Sequence, residues 1–374
     1  MSTILMLLSK SIIGDTRVNR EAKSIIDAGF SVKVFSWGRD KNQFYRAKFE
    51  SDIDVDFIGP LCPKRSLVNF VLKLPLFWLS CLRNAKKEKI SIVHAHDLDT
   101  LVIGFIISRF RNCPLIFDSH ESYTDMIAND VPGAIIRIVN FVQKLLIRKA
   151  DLVIVANDRL IPRIGADEDA LVLLNCPSRT ELNSTENSNN RRESDITHTI
   201  GYFGTLEPYR FVIEAMEVVN KKKKWKLLIA GDGTLSKSVS EFAAKSESIE
   251  YLGIVTHDEA IKGLYRCDII HVILDPNNLN NYISTPLRMF EAMAVGKPPI
   301  VTEGTYAADL INNENCGLVC EFDPESFSKL LDEYADSTDH LKALGENGRL
   351  AFNREYNWEA QAFKLIEAYR KLLS

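Results

Sequence analysis

The sequence predicts an α/β fold made of two Rossmann-like domains that face a cleft. Three observations support this prediction. The chain has 374 residues, which is too long for one compact hydrophobic core. Short apolar runs alternate with helical patterns along both halves, as is typical of parallel strands buried beneath crossover helices. A polar stretch rich in Asn and Ser, residues 175–199, separates the two halves.

The first series of strands lies before this polar stretch. TILMLL (3–8), a helix near 17–28 and SVKVFS (31–36) form a βαβ unit. Further buried strands are predicted at 91–95, 114–119, 151–156 and 170–174. We therefore place the N-terminal domain at 1–175 and the linker at 176–198.

The second series follows the linker. Strands are predicted at 199–203, 225–231, 249–253, 268–274 and 298–302, and long helices near 324–334, 338–353 and 357–372. We place the C-terminal domain at 199–355 and a C-terminal helix at 356–374, for which packing back on the N-terminal domain is one option.

Composition excludes several classes of protein. With 46 basic and 50 acidic side chains and a net charge of -4, the chain lacks the charge of a general nucleic-acid binder. Its seven cysteines form no CxxC pair, which favours a reducing cytoplasm and no structural zinc. The N-terminal apolar run resembles a buried strand more than a signal peptide. Because no apolar run approaches about 18 residues, we expect no membrane-spanning helix.

Residues 284–300, STPLRMFEAMAVGKPPI, predict a short helix after a strand and a loop. Ser284 or Thr285 can cap this helix, Pro286 suits its first position and Gly296 ends it. In parallel sheets, ligands bind at the strand ends where such helices begin. This stretch is therefore a candidate part of a binding site.

Two charged side chains stand in this apolar helix. Glu291 shares a helical stripe with Leu287, Phe290 and Ala294, so we expect its carboxylate to be partly buried. A buried carboxylate needs hydrogen-bond donors, and a ribose diol offers two hydroxyls. Arg288 lies near the positive end of the helix dipole and could face a phosphate. A purely structural ion pair between Arg288 and Glu291 is the alternative.

Two further strand ends carry candidate residues. IAGDGTL (229–235) places Gly231 and Gly233 where backbone amides can approach a ligand, although glycines also simply form turns. IFDSHESY (116–123) places His120 and Glu121 just past a strand. His120 can donate a hydrogen bond or share a proton near neutral pH, with a structural histidine as the alternative.

The stretch VHAHDLDT (93–100) contains a His94-x-His96 pair followed by Asp97. A metallohydrolase pattern would need an acid at Leu98 and a histidine at Asp99, so we expect no metal.

The loop after the first strand, SIIGDTRVNREA (11–22), carries Gly14 at a tight turn. Asp15 or Thr16 can cap the next helix. Arg17 lies near the start of that helix, where a cation opposes the helix dipole. A bound anion or an acidic neighbour would explain Arg17, and a solvated helix face is the alternative.

Together these stretches resemble the retaining family 4 glycosyltransferases of the GT-B fold (glycosyltransferase group 1 type), over nearly the whole chain. The most specific part, Pro286 to Pro298, is similar to the P-x-[KR]-x-x-E-[AY]-M-A-x-G-x-P form of that family. The resemblance implies that Glu291 binds the donor ribose and that Arg288 lies by the donor phosphates.

The resemblance implies roles for other residues as well. Gly14 is implied to lie by the donor diphosphate, His120 by the donor sugar, and Gly231 and Gly233 near the nucleotide. On the acceptor side the candidates are Arg17, Asp97 and Glu121.

The chain also departs from the family pattern. In FGTLEPYRF (203–211), Thr205 stands where many members carry an arginine, and Arg210 stands at the place of a lysine. Ile283 stands where many members carry an acid eight positions before the helix glutamate. One cation and the usual contact to the sugar hydroxyls are therefore missing from the pattern.

The expected function is transfer of a sugar from a UDP- or GDP-type donor to a glycan or lipid-linked acceptor, with retention and without a metal or other cofactor. Two alternatives stay open: a nucleotide-sugar epimerase of the same fold, and a non-catalytic partner protein that has lost donor contacts at Thr205 and Ile283. Segments 64–89 and 134–149 mix apolar and basic residues, which suits a peripheral contact with an anionic membrane. Core-packing helices with a basic outer face are the alternative for both segments.

Overall fold

The computed structural model describes residues 2–39, 47–49, 53–62, 67–127, 131–183 and 197–374. The chain divides into two compact units. Unit 1 comprises Met1–Leu174 and Ala362–Ser374, and unit 2 comprises Asn175–Gln361. Each unit is an α/β layer structure around a largely parallel sheet, which confirms the predicted fold class.

The strands of unit 1 are β1 (Thr3–Leu8), β2 (Ser31–Trp37), β3 (Ala47–Phe49), β4 (Ile53–Ile58), β5 (Ile92–His96), β6 (Leu115–Ser119), β7 (Leu152–Val155) and β8 (Leu171–Val172). Their order in the sheet is β3-β4-β2-β1-β5-β6-β7-β8, and only β3 is antiparallel, to β4. The runs predicted at 3–8 and 31–36 coincide with β1 and β2. The helices of this part are α1 (Thr16–Asp27), α2 (Leu67–Ala85), α3 (Leu98–Arg111), α4 (Tyr123–Met126), α5 (Gly133–Ile147) and α6 (Leu160–Ile164).

Strand β4 is absent from the predicted elements for a physical reason. Its residues alternate between buried and half-buried positions, and its acidic side chains Asp54 and Asp56 bind the ammonium of Lys33 on β2 at 3.1 and 2.8 Å. An alternating strand with two carboxylates does not form the continuous apolar run by which a buried parallel strand is identified.

The strands of unit 2 are β9 (His198–Phe203), β10 (Trp225–Ala230), β11 (Ile249–Tyr251), β12 (Ile269–Val272), β13 (Pro299–Thr302) and β14 (Leu318–Cys320), in the order β11-β10-β9-β12-β13-β14 and all parallel. Its helices, numbered on along the chain, are α7 (Arg179–Asn183), α8 (Val212–Val219), α9 (Ser236–Ala243), α10 (His257–Tyr265), α11 (Leu279–Ile283), α12 (Leu287–Ala294), α13 (Tyr306–Asn313), α14 (Pro324–Tyr334) and α15 (Thr338–Arg354). The hydrophobic core of unit 2 contains buried aromatic side chains, among them Phe211, Trp225 and Phe327.

Helix α16 (Trp358–Leu373) runs from unit 2 into unit 1. Its first residues up to Gln361 belong to unit 2, and Ala362–Ser374 belong to unit 1. In unit 1 the ring of Tyr369 is fully buried and lies 6.4 Å from the ring of Phe30.

The predicted linker, 176–198, begins with structured residues. Helix α7 lies within it, and Ser178 Oγ donates a hydrogen bond to Glu359 Oε1 at 2.6 Å. Residues 184–196 of the predicted linker lie outside the described residues, as do residues 64–66 at the start of the first amphipathic segment.

The helix predicted within 284–300 is α12, but its start differs from the prediction. Pro286 is the N-cap residue rather than the first helical residue, and no side chain caps the helix. The extended backbone of Pro286, with φ -60° and ψ 130°, places Ser284 and Thr285 outside the helix end. The buried face is also shifted, because Met289, Phe290 and Met293 are buried whereas Leu287 and Ala294 are half-buried.

Both sheets contain a point where the strand order reverses. In unit 1 the chain leaves β1 for β2 on one side and later returns to β5 on the other side of β1. In unit 2 the reversal lies between β9 and β12. The C-terminal ends of such strands are the usual ligand-binding edge of a parallel sheet. Among the helices within the described ranges, none has the length and apolar character needed to cross a bilayer.

Candidate functional site

In unit 2, helix α12 places its two charged residues beside the end of β9. The Arg288 Nε donates a hydrogen bond to the carbonyl oxygen of Phe203 at 3.0 Å, and the guanidinium lies 5.8 Å from the Phe203 ring centre. Phe203 is the last residue of β9, so this contact ties the start of α12 to the sheet edge where the strand order reverses.

Arg288 and Glu291 form a close ion pair, with Nη1 and Oε2 separated by 2.5 Å. The side chain of Glu291 is 1% exposed and that of Arg288 is 22% exposed, so the pair joins a buried carboxylate to a partly exposed guanidinium. The sequence predicted a partly buried carboxylate at Glu291, and the structure shows an almost fully buried one. The ion pair between Arg288 and Glu291, which was one of two alternatives, is therefore present in the structure.

His257 is a member of this cluster that sequence reasoning missed. Its Nδ1 lies 3.9 Å from Glu291 Oε1, and its side chain is 47% exposed. His257 is the first residue of α10, which Thr256 and Glu259 begin with a reciprocal capping box. The sequence T-H-D-E after a strand is a recognisable helix start, and helix starts at strand ends are candidate anion sites. That signal could have identified His257.

The glycines predicted near the nucleotide lie at the end of β10, against the end of β9. A Cβ atom on Gly231 would lie 1.8 Å from the carbonyl oxygen of Gly204, and one on Gly233 would lie 2.4 Å from that of Leu206. The close approach of two backbone segments therefore accounts for both glycines before any ligand is considered. Tyr251 donates a hydrogen bond from its hydroxyl to the carbonyl oxygen of Gly231 at 2.9 Å.

The positions that depart from the family pattern differ in exposure. Thr205 is exposed, and its carbonyl oxygen accepts a hydrogen bond from the hydroxyl of Tyr202. Arg210 is half-buried at the end of a single 3-10 turn, Pro208–Arg210, with its guanidinium 5.5 Å from the Tyr209 ring centre. Ile283 is 3% exposed at the end of α11. A buried isoleucine cannot replace a carboxylate that binds hydroxyls.

In unit 1, the loop after β1 forms the start of α1. Gly14 adopts φ +82°, a backbone conformation that is unfavourable for residues other than glycine. Of the two predicted caps, Asp15 caps α1, because its carboxylate accepts a hydrogen bond from Val18 N at 3.2 Å. Asp15 also pairs with Lys10 at 2.9 Å.

Arg17 is buried, with a side chain that is 5% exposed, and acidic neighbours explain its position at the start of α1. Its guanidinium binds Glu21 Oε1 at 3.0 Å and Asp118 Oδ1 at 2.8 Å, and donates to the carbonyl oxygen of Leu173 at 2.9 Å. The solvated-face alternative is therefore wrong. The hydrogen bonds described for the Arg17 guanidinium all go to buried groups of the protein. This weakens the prediction that Arg17 contacts the acceptor.

His120 lies just past β6 with its side chain 12% exposed. Its Nε2 lies 3.1 Å from His96 Nδ1 and 3.4 Å from Asp118 Oδ2, and its Nδ1 lies 3.9 Å from Asp97 Oδ2. Burial lowers the pKa of His120, but the carboxylates of Asp97 and Asp118 outweigh burial and raise it to about 9. The ring therefore carries a proton on both nitrogens at neutral pH.

Asp97 and Glu121 flank His120 at the same edge. Asp97 follows β5 with φ +64°, an unfavourable conformation for a residue with a Cβ atom, and its carboxylate accepts a hydrogen bond from the backbone N–H of His120 at 3.2 Å. Asp97 is 26% exposed at its side chain, and Glu121 is exposed. Both carboxylates are therefore within reach of a ligand at this edge.

Four side chains behind His120 come close enough to be considered as metal ligands: Glu21, His94, His96 and Asp118 have candidate atoms within 4.8 Å of one another. The carboxylates are already compensated without an ion. Burial favours the neutral form of Asp118, but the Arg17 guanidinium outweighs burial and holds its pKa well below the usual range. Burial, followed by the charge of Asp118, raises the pKa of Glu21 well above its usual range.

The charge of Arg17 therefore balances that of Asp118, and burial beside Asp118 favours the neutral form of Glu21. A divalent cation would add positive charge to a buried cluster that already contains the Arg17 guanidinium, which is costly. The residues do not favour a metal site.

Comparison with known proteins gives matches along most of the chain. The model described as "Glycosyltransferase Family 4" matches residues 15–160, and the model described as "Glycosyl transferases group 1" matches residues 197–336. A glycogen synthase from Mycobacterium tuberculosis is 22% identical over 296 residues, which cover 74% of this chain and 68% of the relative.

Solved structures show the same fold at low sequence identity. The sucrose-phosphate synthase of Thermosynechococcus elongatus has a TM-score of 0.78 at 17% identity and covers 100% of this chain and 99% of its own. HepE from Anabaena in complex with UDP has a TM-score of 0.73 at 14% identity and covers 99% of this chain and 100% of its own. With one family model on each unit and neighbours that span the whole chain, the protein belongs to the group 1 and family 4 glycosyltransferases of the GT-B fold.

Proposed function

We propose that the protein transfers a sugar from a nucleoside-diphosphate sugar to a glycan or lipid-linked acceptor with retention of the anomeric configuration. The observation that carries the proposal is the buried Arg288–Glu291 pair at the strand-order reversal of unit 2. This is the ligand-binding edge of a parallel sheet, within the segment that matches the group 1 model. HepE, which shares the fold, has been solved with UDP and with UDP-glucose, so a UDP sugar is the first donor to test, with GDP sugars second.

The ion pair suggests how the donor binds. The two hydroxyls of a ribose would donate hydrogen bonds to the Glu291 carboxylate. The Arg288 guanidinium would then turn from that carboxylate toward the diphosphate. Each charged group then keeps a partner throughout, which avoids the large cost of an unpaired buried charge. His257, half-exposed beside Glu291, is a further donor for the nucleotide in this arrangement.

Sugar transfer needs stabilisation of the departing diphosphate. The transition state separates an oxocarbenium-like sugar from that leaving group, so positive charges and amide donors near the diphosphate contribute most. Arg288, Arg210 and the backbone amides of the Gly14 loop are the proposed groups, and Gly231 and Gly233 are the proposed backbone contacts to the nucleotide. His120 would orient the transferred sugar. No metal is part of this proposal.

On the acceptor side we propose Asp97 and Glu121. Both carboxylates are accessible at the unit 1 edge and can accept hydrogen bonds from sugar hydroxyls. Arg17 keeps only an indirect role, since its guanidinium is occupied by Glu21, Asp118 and a carbonyl oxygen.

We further propose that the protein works in the cytoplasm, at the inner face of an anionic membrane. Helices α2, α3 and α5 are neighbours in unit 1 and together form what we call the basic apolar face. Its exposed apolar side chains are Val68, Val71, Leu72, Leu76 and Leu79 of α2, Ile106 and Phe110 of α3, and Ile135, Ile138, Phe141 and Leu145 of α5.

Charge supports a membrane as the occupant of this face. Neither α2 nor α5 contains an acidic residue, whereas exposed basic residues are interspersed, for example Arg83, Arg137 and Lys144. Apolar side chains mixed with cations suit the interface of an anionic bilayer, where a lipid-linked acceptor would be presented. Trp78 is not part of the face, because it is half-buried and donates from Nε1 to the Asp99 carbonyl oxygen at 2.8 Å.

The decisive experiment compares Glu291→Ala with Glu346→Ala. Glu346 pairs with Arg349 at the same three-residue spacing, but both side chains are about half exposed, so its removal is a matched control. Titration calorimetry with UDP and GDP, followed by turnover with their sugars, should show a loss of nucleotide affinity of about 10- to 100-fold for Glu291→Ala only, as expected for hydrogen bonds to a charged group. Wild-type affinity and turnover in Glu291→Ala would refute the assignment.

Two alternative functions give different results in the same assays. Thr205 and the buried Ile283 favour a non-catalytic partner protein, which would be stabilised against heat by none of the nucleoside diphosphates or their sugars. A nucleotide-sugar epimerase would bind the donor but interconvert its sugar or release free nucleotide without any acceptor product.

A further inference from the structure

A buried polar network lies behind His120 and takes no direct part in the proposed reaction. Its members are Arg17, Glu21, His94, His96 and Asp118 of the main part of unit 1, and Tyr369 of α16. Each of these side chains is at most 5% exposed. Burying so many ionisable groups is costly unless hydrogen bonds and ion pairs between them offset the loss of hydration.

The network contacts the inner side of the His120 ring. Nε2 of His120 faces both His96 Nδ1 at 3.1 Å and Asp118 Oδ2 at 3.4 Å. A protonated His120 donates from Nε2 toward these two acceptors, while its Nδ1 faces Asp97 at 3.9 Å. The orientation of the ring is therefore set from the protein interior.

Asp118 is in turn fixed by groups from distant parts of the chain. Arg17 donates to its Oδ1 at 2.8 Å, and His94 Nε2 lies 3.8 Å from its Oδ2. The hydroxyl of Tyr369 lies 2.6 Å from His94 Nδ1. Burial lowers the pKa of His94 well below its usual range, so its ring is neutral. A hydroxyl that donates to Nδ1 leaves the proton on Nε2, which lies 3.8 Å from the buried Oδ2 of Asp118, an electrostatic contact rather than a hydrogen bond.

We propose that Asp118 is a positioning residue for His120 and that Tyr369 extends this function into the C-terminal helix α16 through His94. The kinetic consequence rests on the proposed glycosyl transfer, in which His120 orients the sugar. The effect on the His120 ring itself does not depend on that function.

Several groups influence the protonation of His120 and must be considered together. The titratable and charged groups that interact with it are Asp15, Arg17, Glu21, His94, His96, Asp97, Asp118 and Glu121. Among those that raise its pKa, the charges of Asp97 and Asp118 are the largest. Removal of the Asp118 charge also takes one of two acidic partners from Arg17, whose charge lowers the His120 pKa, while Glu21 still binds the guanidinium.

The first test reads the His120 ring by NMR of ¹⁵N-histidine-labelled full-length protein, with its signals assigned by their loss in His120→Gln. The wild-type ring should titrate at a pKa of about 9. In Asp118→Asn we expect this pKa to fall by roughly one unit or more, as is usual for loss of an opposite charge at this distance. The matched control is Asp268→Asn, because Asp268 lies 3.6 Å from another buried histidine, His198, in unit 2.

Tyr369→Phe keeps the test decisive if Asp118→Asn does not fold, since it removes only a hydroxyl. We expect the ¹⁵N shifts of His94 to report a changed tautomer and the His120 pKa to fall by a smaller amount. In a turnover assay, Asp118→Asn and Tyr369→Phe should lower kcat by roughly tenfold or more and roughly twofold, respectively, with the donor KM retained.

Three results would overturn the proposal. An unchanged His120 pKa in a folded Asp118→Asn protein removes the positioning role, and unchanged His94 and His120 signals in Tyr369→Phe remove the extension to α16. Stoichiometric metal in the untagged protein, measured by elemental analysis, would mean that these residues form a metal site and would remove both the positioning role of Asp118 and the role of Tyr369. If the wild-type protein turns over no donor, the proposed function fails while the NMR results still decide this inference.

Discussion

At the scale of single residues, Asp99 is a buried acid that gives a testable pH dependence. Its side chain accepts a hydrogen bond from Ser9, and one of its oxygens has no hydrogen-bond partner among the described residues. Burial, followed by the charge of Asp97, raises the pKa of Asp99 to about 7. Between about pH 4 and 7 the unfolded chain has lost this proton while the folded protein retains it, so the contribution of Asp99 to stability falls as the pH rises.

We therefore expect Asp99→Asn to become progressively more stable than the wild type from pH 4 to pH 7, and the difference to be constant above that. A rise of the Asp99 pKa from about 4 to about 7 corresponds to at most roughly 4 kcal/mol. Urea unfolding at several pH values measures the difference. Asp336→Asn is the control, because Asp336 is 81% exposed and burial therefore does not act on its carboxylate. A flat profile for Asp99→Asn would show that Asp99 is ionised throughout.

Residue patterns predicted that certain charges need partners but not which partners they find. Arg17 opposes the dipole of its helix, and the sequence correctly indicated an acid as one solution. Two acids bind Arg17: Glu21 lies four residues away on the same helix, whereas Asp118 lies 101 positions away in the sequence and is brought near only by the sheet. Glu291 is simpler, because its partner Arg288 lies one helical turn away. Local pairs can be predicted from spacing, whereas pairs that depend on strand order cannot.

At the scale of elements, the junction between β9 and β10 depends on Gly231. This glycine has φ +142°, and a Cβ atom there would lie 1.8 Å from a backbone oxygen. Gly231→Ala must therefore separate the two strand ends. We expect destabilisation of about 3 kcal/mol or more, measured by urea unfolding, together with loss of nucleotide affinity.

Gly304→Ala is the matched control for this junction. Gly304 also has a positive φ, +73°, but no atom lies within 4 Å of the added carbon. Its substitution should cost only about 1–2 kcal/mol, the ordinary penalty for a left-handed residue. Equal losses for the two variants would mean that backbone conformation alone, rather than the close approach, requires glycine at Gly231.

Element prediction succeeded where a strand is buried on both faces and its residues form one apolar run. β1 is such a strand, and β2 and β10 come close, with one lysine each, Lys33 and Lys226, in the run. It missed the alternating strand β4 and the short strands β3 and β14. It also placed the start of α12 too early, because Ser, Thr and Pro all favour a helix start. The backbone of Pro286, which decides between them, depends on the loop that precedes the helix.

At the scale of the whole molecule, the basic apolar face predicts where the protein meets a bilayer. Phe141 on α5 and Phe363 on α16 are both 69% exposed, but only Phe141 belongs to this face. In flotation with vesicles containing anionic lipid at low salt, we expect Phe141→Glu to remain with the unbound fraction while wild type and Phe363→Glu float. A glutamate removes apolar contact and is repelled by the lipid charge.

High salt separates the two contributions to this binding. Screening should reduce flotation of the wild type, because attraction between exposed lysines or arginines and anionic lipid falls within about 8–10 Å at moderate ionic strength. Wild-type protein that stays unbound at both salt concentrations would contradict the membrane proposal. Equal loss in both phenylalanine variants would place the contact elsewhere on unit 1.

The path of helix α16 also affects how the protein is made. Unit 1 is completed by Ala362–Ser374, which follow every residue of unit 2 in the chain. Unit 2 is therefore an insertion within unit 1, and the ribosome finishes it first. The part of unit 1 that precedes unit 2 in the chain must wait, with the site of Tyr369 open beside Phe30 and His94, until the residues that follow unit 2 have been synthesised. Vectorial synthesis thus reverses the order in which the two cores close.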